Sequence, residues 1–186
     1  GIKVEKERLL NLSLAYESHP DNITPAVMGG FNVASVHENE VKFITKSIPR
    51  TLRAVVVVPN RPISTTLSRK TLPYKYSKED TIFNISHSSL LTAAFMSENW
   101  EMLKYASADM VHQQFRMRHM PELFEVQKTA LKNGALMSTL SGSGSTFFSV
   151  AYSEDSQKLE LALKEKFPHF RVMSVDFDNN GVKIEI

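Results

Sequence analysis

The 186 residues are 42% hydrophobic and 23% charged, the balance of a soluble globular fold rather than of a disordered or membrane-embedded chain. Lys and Arg number 22 against 20 Asp and Glu, so a net charge of +2 offers little for nucleic acid or an anionic membrane to hold. No apolar run approaches the roughly 18 residues of a membrane-spanning helix, and the absence of cysteine excludes disulfides, thiolate metal sites and a cysteine nucleophile. A reducing, cytoplasmic setting and a small-molecule partner are the expectation. The chain opens Gly1-Ile2-Lys3 without Met and without a signal peptide, as if cut from something longer.

Val4 to Glu17 mixes apolar and charged residues at helical spacing and is predicted to be a helix. His19-Pro20-Asp21-Asn22-Ile23-Thr24-Pro25 follows, a polar stretch with two prolines that leads to Gly29-Gly30-Phe31. Asp21, Asn22 or Thr24 is expected to cap a short helix that the glycine pair ends. Two readings of this stretch stand side by side. It is a substrate site, with His19, Asp21 and Asn22 at a helix N-terminus that favours an anion, or it is only a capped turn. Phe31 to Val36 and Val41 to Thr45 alternate with period two around His37-Glu38-Asn39-Glu40, which predicts a hairpin. Ile48 to Thr51 suits a domain junction, and Leu52 to Val58 is an apolar run that reads as a central strand buried on both faces.

Ser64-Thr65-Thr66 can cap a short helix that carries Arg69 on the face of Thr65 and stops at Pro73. Helices are then predicted over Lys78 to Met96, Trp100 to about Arg118 and Glu122 to Lys132. Strands at Ala135 to Leu140 and Thr146 to Tyr152 flank Ser141-Gly142-Ser143-Gly144-Ser145, an amphipathic helix runs from Asp155 to Phe167, and strands at Arg171 to Phe177 and Val182 to Ile186 close the chain through Asp178-Asn179-Asn180-Gly181. This order argues an α+β fold with helices on a mostly antiparallel sheet.

Three further groups of residues bear on chemistry. The serine-glycine loop either brings backbone N–H groups close to an anion or is a plain hairpin turn; without a Gly-Lys-Ser/Thr it is not a P-loop. Arg69 and Arg116 suit a carboxylate or phosphate bidentately, and Arg118 cannot share the face of Arg116. His87, His112 and His119 lack metal-ligand spacing and read as structural, as do Met96, Met102, Met110, Met117, Met120 and Trp100.

Four motifs stand in register over nearly the whole chain: His-Pro-Asp-Asn with Pro25 and Gly29-Gly30-Phe31; Val57-Val58-Pro59-Asn60 with Ser64-Thr65, Arg69 and Leu72-Pro73; Arg116 with Pro121; and Leu140 to Thr146. Each is weak alone, but their order and spacing resemble the homoserine kinases of the GHMP small-molecule kinase superfamily, over the C-terminal two-thirds of such an enzyme. The resemblance implies that residues 1–50 are the remainder of a ribosomal-S5-like N-terminal domain and 51–186 a ferredoxin-like C-terminal domain. It further implies ATP-dependent phosphorylation of the L-homoserine hydroxyl in threonine biosynthesis, with ATP and Mg2+ required and no nucleic acid or membrane involved. It also allows a homodimer.

By the same resemblance His19 and Asn22 would contact homoserine, with Asn22 beside its hydroxyl, while Arg69 and Arg116 hold its carboxylate. Asp21 is the nearest base if one is needed, since Asn cannot deprotonate an alcohol. Thr65 and Ser145 would face ATP, and Gly142, Ser143 and Gly144 the substrate. Ser143 and Ser145 stand where the family usually has Ala and Pro, which should loosen that loop. The family's Gly-Leu-Gly-Ser-Ser phosphate loop is missing and is expected upstream of Gly1, so the chain is expected to be inactive by itself. Glu17 is the one candidate Mg2+ ligand. Two rivals remain: a kinase for another small alcohol such as a mevalonate-type substrate, and a non-catalytic binding module.

Overall fold

A computed structural model describes residues 5–61, 68 and 70–183. Thr65 and Arg69 therefore lie outside the described residues, as does most of the helix expected around them. Two compact units emerge, one of Gly1–Pro49 with Phe177–Ile186 and the other of Arg50–Asp176.

In the first unit, helix α1 (Lys6–Ser13) and helix α2 (Pro20–Met28) pack on an antiparallel hairpin of β1 (Phe31–His37) and β2 (Glu40–Lys46). Glu38 and Asn39 both take positive φ, 50° and 64°, the pair of left-handed residues a tight two-residue hairpin loop needs. Leu10, Val27 and Val41 form the buried centre, with Leu9, Ile23, Ala34, Phe43 and Val182 against it. The closing segment does not form the expected Asp178 to Gly181 hairpin turn. Gly181 has φ of +62° but Asn180 is not left-handed, so the dihedral pair of that turn is missing. Gly181 instead lies against α2, where a Cβ would stand 2.4 Å from the Val27 carbonyl oxygen. Val182 N–H donates to that same oxygen at 3.1 Å and Gly30 N–H to Asp178 O at 2.8 Å. Val182 and Lys183 carry no strand, and residues 184–186 lie outside the described set.

The second unit is a four-stranded, wholly antiparallel sheet in the order β4 (Met137–Leu140), β5 (Phe147–Tyr152), β3 (Leu52–Val58), β6 (Arg171–Val175). The β3 run does become a central strand. Its Val55 and Val57 are fully buried, whereas Val56 and Val58 on the other face are only half covered. Helices α6 (Glu122–Lys132) and α7 (Ser153–Lys166) cover the first face through Leu123, Val126 and Ala130 and through Leu159 and Leu163, at the three- and four-residue spacing of a helical stripe. Burying such a stripe contributes about 1.5 to 3 kcal/mol per large side chain before entropy is subtracted.

Helix α3 (Lys78–Met96) begins where Ser77 Oγ accepts the Asp80 N–H. The long helix expected over Trp100 to Arg118 is broken into a 3-10 turn at Trp100–Met102, α4 (Leu103–Ala106) and α5 (Gln113–Met117). The physical cause is Asp109. Its carboxylate accepts the backbone N–H of His112 at 2.8 Å and of Gln113 at 2.6 Å, a local bond that competes with helix continuation and restarts the helix at Gln113.

Candidate functional site

The sequence-predicted residues fall in both units. In the first, Pro20 fixes the φ of the opening helical residue and so places the start of α2 directly after His19. The expected cap by Asp21, Asn22 or Thr24 is not made. His19 is the N-cap with no side-chain capping bond, Asp21 Oδ1 accepts the N–H of its neighbour Asn22 at 3.1 Å, and Thr24 is fully buried. Thr24 lies one turn too deep to cap anything, and its hydroxyl has no partner among the described residues. Pro25 sits inside the helix, which continues to Met28 and closes with Gly29 N–H donating to Pro25 O at 2.9 Å. His19, Asp21 and Asn22 are exposed together at this helix start, with Glu17 Oε1 accepting the His19 N–H at 3.1 Å.

In the second unit the serine-glycine loop joins edge strand β4 to β5. Gly142 and Gly144 take φ of 56° and 82°, which only glycine adopts without strain, and Ser141 N–H donates to Thr146 O at 2.9 Å. Side chains from elsewhere in the unit fasten it: Arg116 Nη1 donates to Gly142 O at 3.1 Å, and Ser68 Oγ to Ser143 O at 2.9 Å. Ser145 is buried and its Oγ donates to Arg61 O at 3.0 Å. One residue before the loop, the Leu140 N–H is taken by Gln113 Oε1 at 3.1 Å.

Arg116 thus meets the loop from α5. It is half-buried, and its Nε is fully covered without a hydrogen-bond partner among the described residues. A guanidinium tied down through Nη1 keeps its positive charge at the loop, where it suits a carboxylate or phosphate. Arg118, one face away, is exposed and lies over the Phe115 ring at 5.3 Å.

Behind Arg116 stands a group the sequence reading passed over. Asp109, its side chain only 7% exposed, accepts from Asn84 Nδ2 at 2.9 Å and lies 3.6 Å from His112 Nε2. Burial works to raise its carboxyl pKa, but Asn84, the N–H groups of Gln113 and His112 and the His112 ring outweigh it and hold the group below the ordinary carboxylate value. His112 is pushed down, first by burial and then by the Arg116 charge, against an upward pull from Asp109. Its Nδ1 lies 3.5 Å from Arg116 Nη1. An Asp four residues before the first residue of a helix was the available signal, since that spacing lets its carboxylate take the N–H groups of the N-cap and the first helical residue. Asn84, Asp109, His112 and Gln113 also line a cleft of about 270 Å³ with Ser88 and Thr139. Among the described residues no group of three His, Asp or Glu could hold a metal ion by itself.

Residues 88–169 match the family model "GHMP kinases C terminal", a span that holds β4, β5 and helices α4 to α7. Among solved structures, homoserine kinase from Cytophaga hutchinsonii superposes with a TM-score of 0.89 at 24% identity, covering 97% of this chain and 61% of that one. A mevalonate kinase from L. major superposes with a TM-score of 0.65 at 19% identity, over 94% of this chain and 60% of that one. These two likenesses establish the fold.

In sequence the chain is similar to homoserine kinases. It is 80% identical over all 186 residues to homoserine kinase of Aliarcobacter butzleri and 60% identical over 185 residues to that of Nitratiruptor sp., spanning 64% and 63% of their lengths.

Proposed function

We propose that the protein carrying this chain transfers the γ-phosphoryl group of ATP to the hydroxyl of L-homoserine, giving O-phospho-L-homoserine and ADP for threonine biosynthesis. The observation that carries the proposal is the 80% identity to a homoserine kinase along the entire chain. The chemistry at Arg116 agrees with an amino-acid substrate, because a guanidinium anchored through Nη1 to the glycine loop carries a fixed positive charge that a carboxylate complements.

In this reading Arg116 and Arg69 bind the homoserine carboxylate. Gly142, Ser143 and Gly144 border the substrate, and His19 and Asn22 orient its hydroxyl for in-line attack. Positioning and charge stabilisation supply most of the rate in phosphoryl transfer, so Asn22 serves without accepting a proton and Asp21 is the acceptor if the alcohol proton leaves early. Thr65 and Ser145 serve the ATP side. Mg2+ would offset charge on the phosphates. Glu17, whose Oε1 accepts the His19 N–H, would be its carboxylate ligand, with phosphate oxygens and water as the others. A cytoplasmic location goes with this reading.

The test is a coupled assay of the full-length protein with ATP, Mg2+ and either L-homoserine or mevalonate, together with calorimetry of the 186-residue chain against ATP and L-homoserine. Turnover of L-homoserine in preference to mevalonate is expected, and L-homoserine binding without ATP binding by the 186-residue chain. Preference for mevalonate would transfer the reading to another GHMP kinase. No turnover by the full-length protein, with no heat from either ligand, would leave a binding module.

A further inference from the structure

The contacts behind Arg116 form a continuous path. Asp109 is fixed by three N–H donors, two from the backbone at the start of α5 and one from Asn84 on α3. Its Oδ1 lies beside His112 Nε2 at 3.6 Å, and a carboxylate there favours the tautomer with hydrogen on Nε2. His112 Nδ1 is then a lone-pair acceptor, and it faces Arg116 Nη1 at 3.5 Å. The second hydrogen of Nη1 goes to the Gly142 carbonyl at 3.1 Å. Both hydrogens of that nitrogen are thereby directed, which sets the plane of the guanidinium.

We propose that His112, oriented by Asp109, is a positioning residue that fixes the Arg116 guanidinium for the substrate carboxylate. This rests on the reading that Arg116 binds that carboxylate. In this assignment Asp109 and His112 act through Arg116 and not on the substrate. Their contribution is to remove the torsional freedom that a half-buried arginine, held otherwise among the described residues by the Gly142 carbonyl, would keep, so that its charged group is arranged before the ligand arrives.

The full-length kinase tests this with four variants: Arg116→Lys, His112→Phe, His112→Asn and the double variant Arg116→Lys with His112→Phe. Phenylalanine keeps the ring and deletes Nδ1, while the Asn oxygen replaces the acceptor. His112→Phe is expected to raise KM for L-homoserine about tenfold with kcat, KM for ATP and melting temperature nearly unchanged, because only the arrangement of one binding group is lost. His112→Asn should recover most of that loss, and His112→Phe should add little once Arg116 is Lys, since coupled residues are not additive. An unchanged homoserine KM in His112→Phe, an equal rise for ATP, or full additivity in the double variant overturns the positioning role while leaving Arg116 in place. An unchanged homoserine KM in Arg116→Lys overturns the carboxylate reading itself.

Discussion

Gln113→Met isolates the hydrogen bond on which the glycine loop starts. Strand β4 is an edge of the sheet, so Leu140, paired with Phe147 on one side, turns its N–H outward. That N–H is buried and donates to Gln113 Oε1 at 3.1 Å. Methionine has nearly the length of glutamine but no strong acceptor, so the variant loses a net bond of about 1 kcal/mol and leaves a buried N–H dry at a cost of about 1 to 3 kcal/mol. Better burial of the thioether offsets about 1 kcal/mol, which leaves a destabilisation of about 2 kcal/mol. Urea denaturation measures that loss. Hydrogen exchange at the Leu140 amide localises it, with exchange expected about thirtyfold faster for an opening energy lowered by that amount. Gln113→Glu keeps an acceptor and should keep the amide protected. A Gln113→Met variant within about 0.5 kcal/mol of the parent, with Leu140 still protected, would refute the claim that this side chain fastens the strand end.

Other outcomes follow from the same structure. Ser138 Oγ and Ser149 Oγ are buried 2.9 Å apart, so Ser138→Ala or Ser149→Ala alone should cost about 1 to 2 kcal/mol by stranding its partner, and the double variant less than the two costs added; simple additivity in urea denaturation would contradict this. Gly181→Ala places a methyl 2.4 Å from the Val27 oxygen at a φ of +62°, and a loss of about 2 kcal/mol or more is expected, read as a lower urea midpoint. The protein should lose stability as the pH falls. His112 has a lowered folded pKa, so between its ordinary and folded values the unfolded chain binds the proton and the folded one does not. Asp109, also lowered, adds stability that is present above the ordinary carboxylate value and vanishes as the pH drops through its folded one. Urea midpoints from pH 7.5 down to pH 3 should fall more steeply in the parent than in Asp109→Asn, and parallel curves would remove Asp109 from the account.

Local pattern determined most of the fold. Helix α3 spans Lys78–Met96 and α6 spans Glu122–Lys132, as their apolar spacing and flanking Ser77, Pro121 and Gly134 require. The Val-rich run at Ala54 to Val58 made the central strand, and the alternation on either side of Glu38-Asn39 made the hairpin. Such signals are legible because they depend on residues a few positions apart. The Trp100 to Arg118 stretch failed for a reason propensity does not hold: one buried carboxylate takes two backbone N–H groups and is itself held by Asn84, 25 residues away. Gly181 likewise reads as half of a tight turn, but its place is set by the Val27 carbonyl of a distant helix.

The residue types of the candidate site were legible, the roles of their atoms were not. Arg116 and the loop of Gly142 to Thr146 stand out in the sequence, the one for its fork of donors and the other for its glycines. That the two meet, that Gly142 O consumes Nη1 while Nε stays buried and free of partners among the described residues, and that Asp109 and His112 stand behind them are facts of tertiary packing. Sequence by itself determined which segments are helix and strand and which side chains could clamp an anion. The three-dimensional fold decided which atoms of Arg116 are engaged and by what, because hydrogen-bond satisfaction in a buried place depends on partners that the chain brings together from far apart.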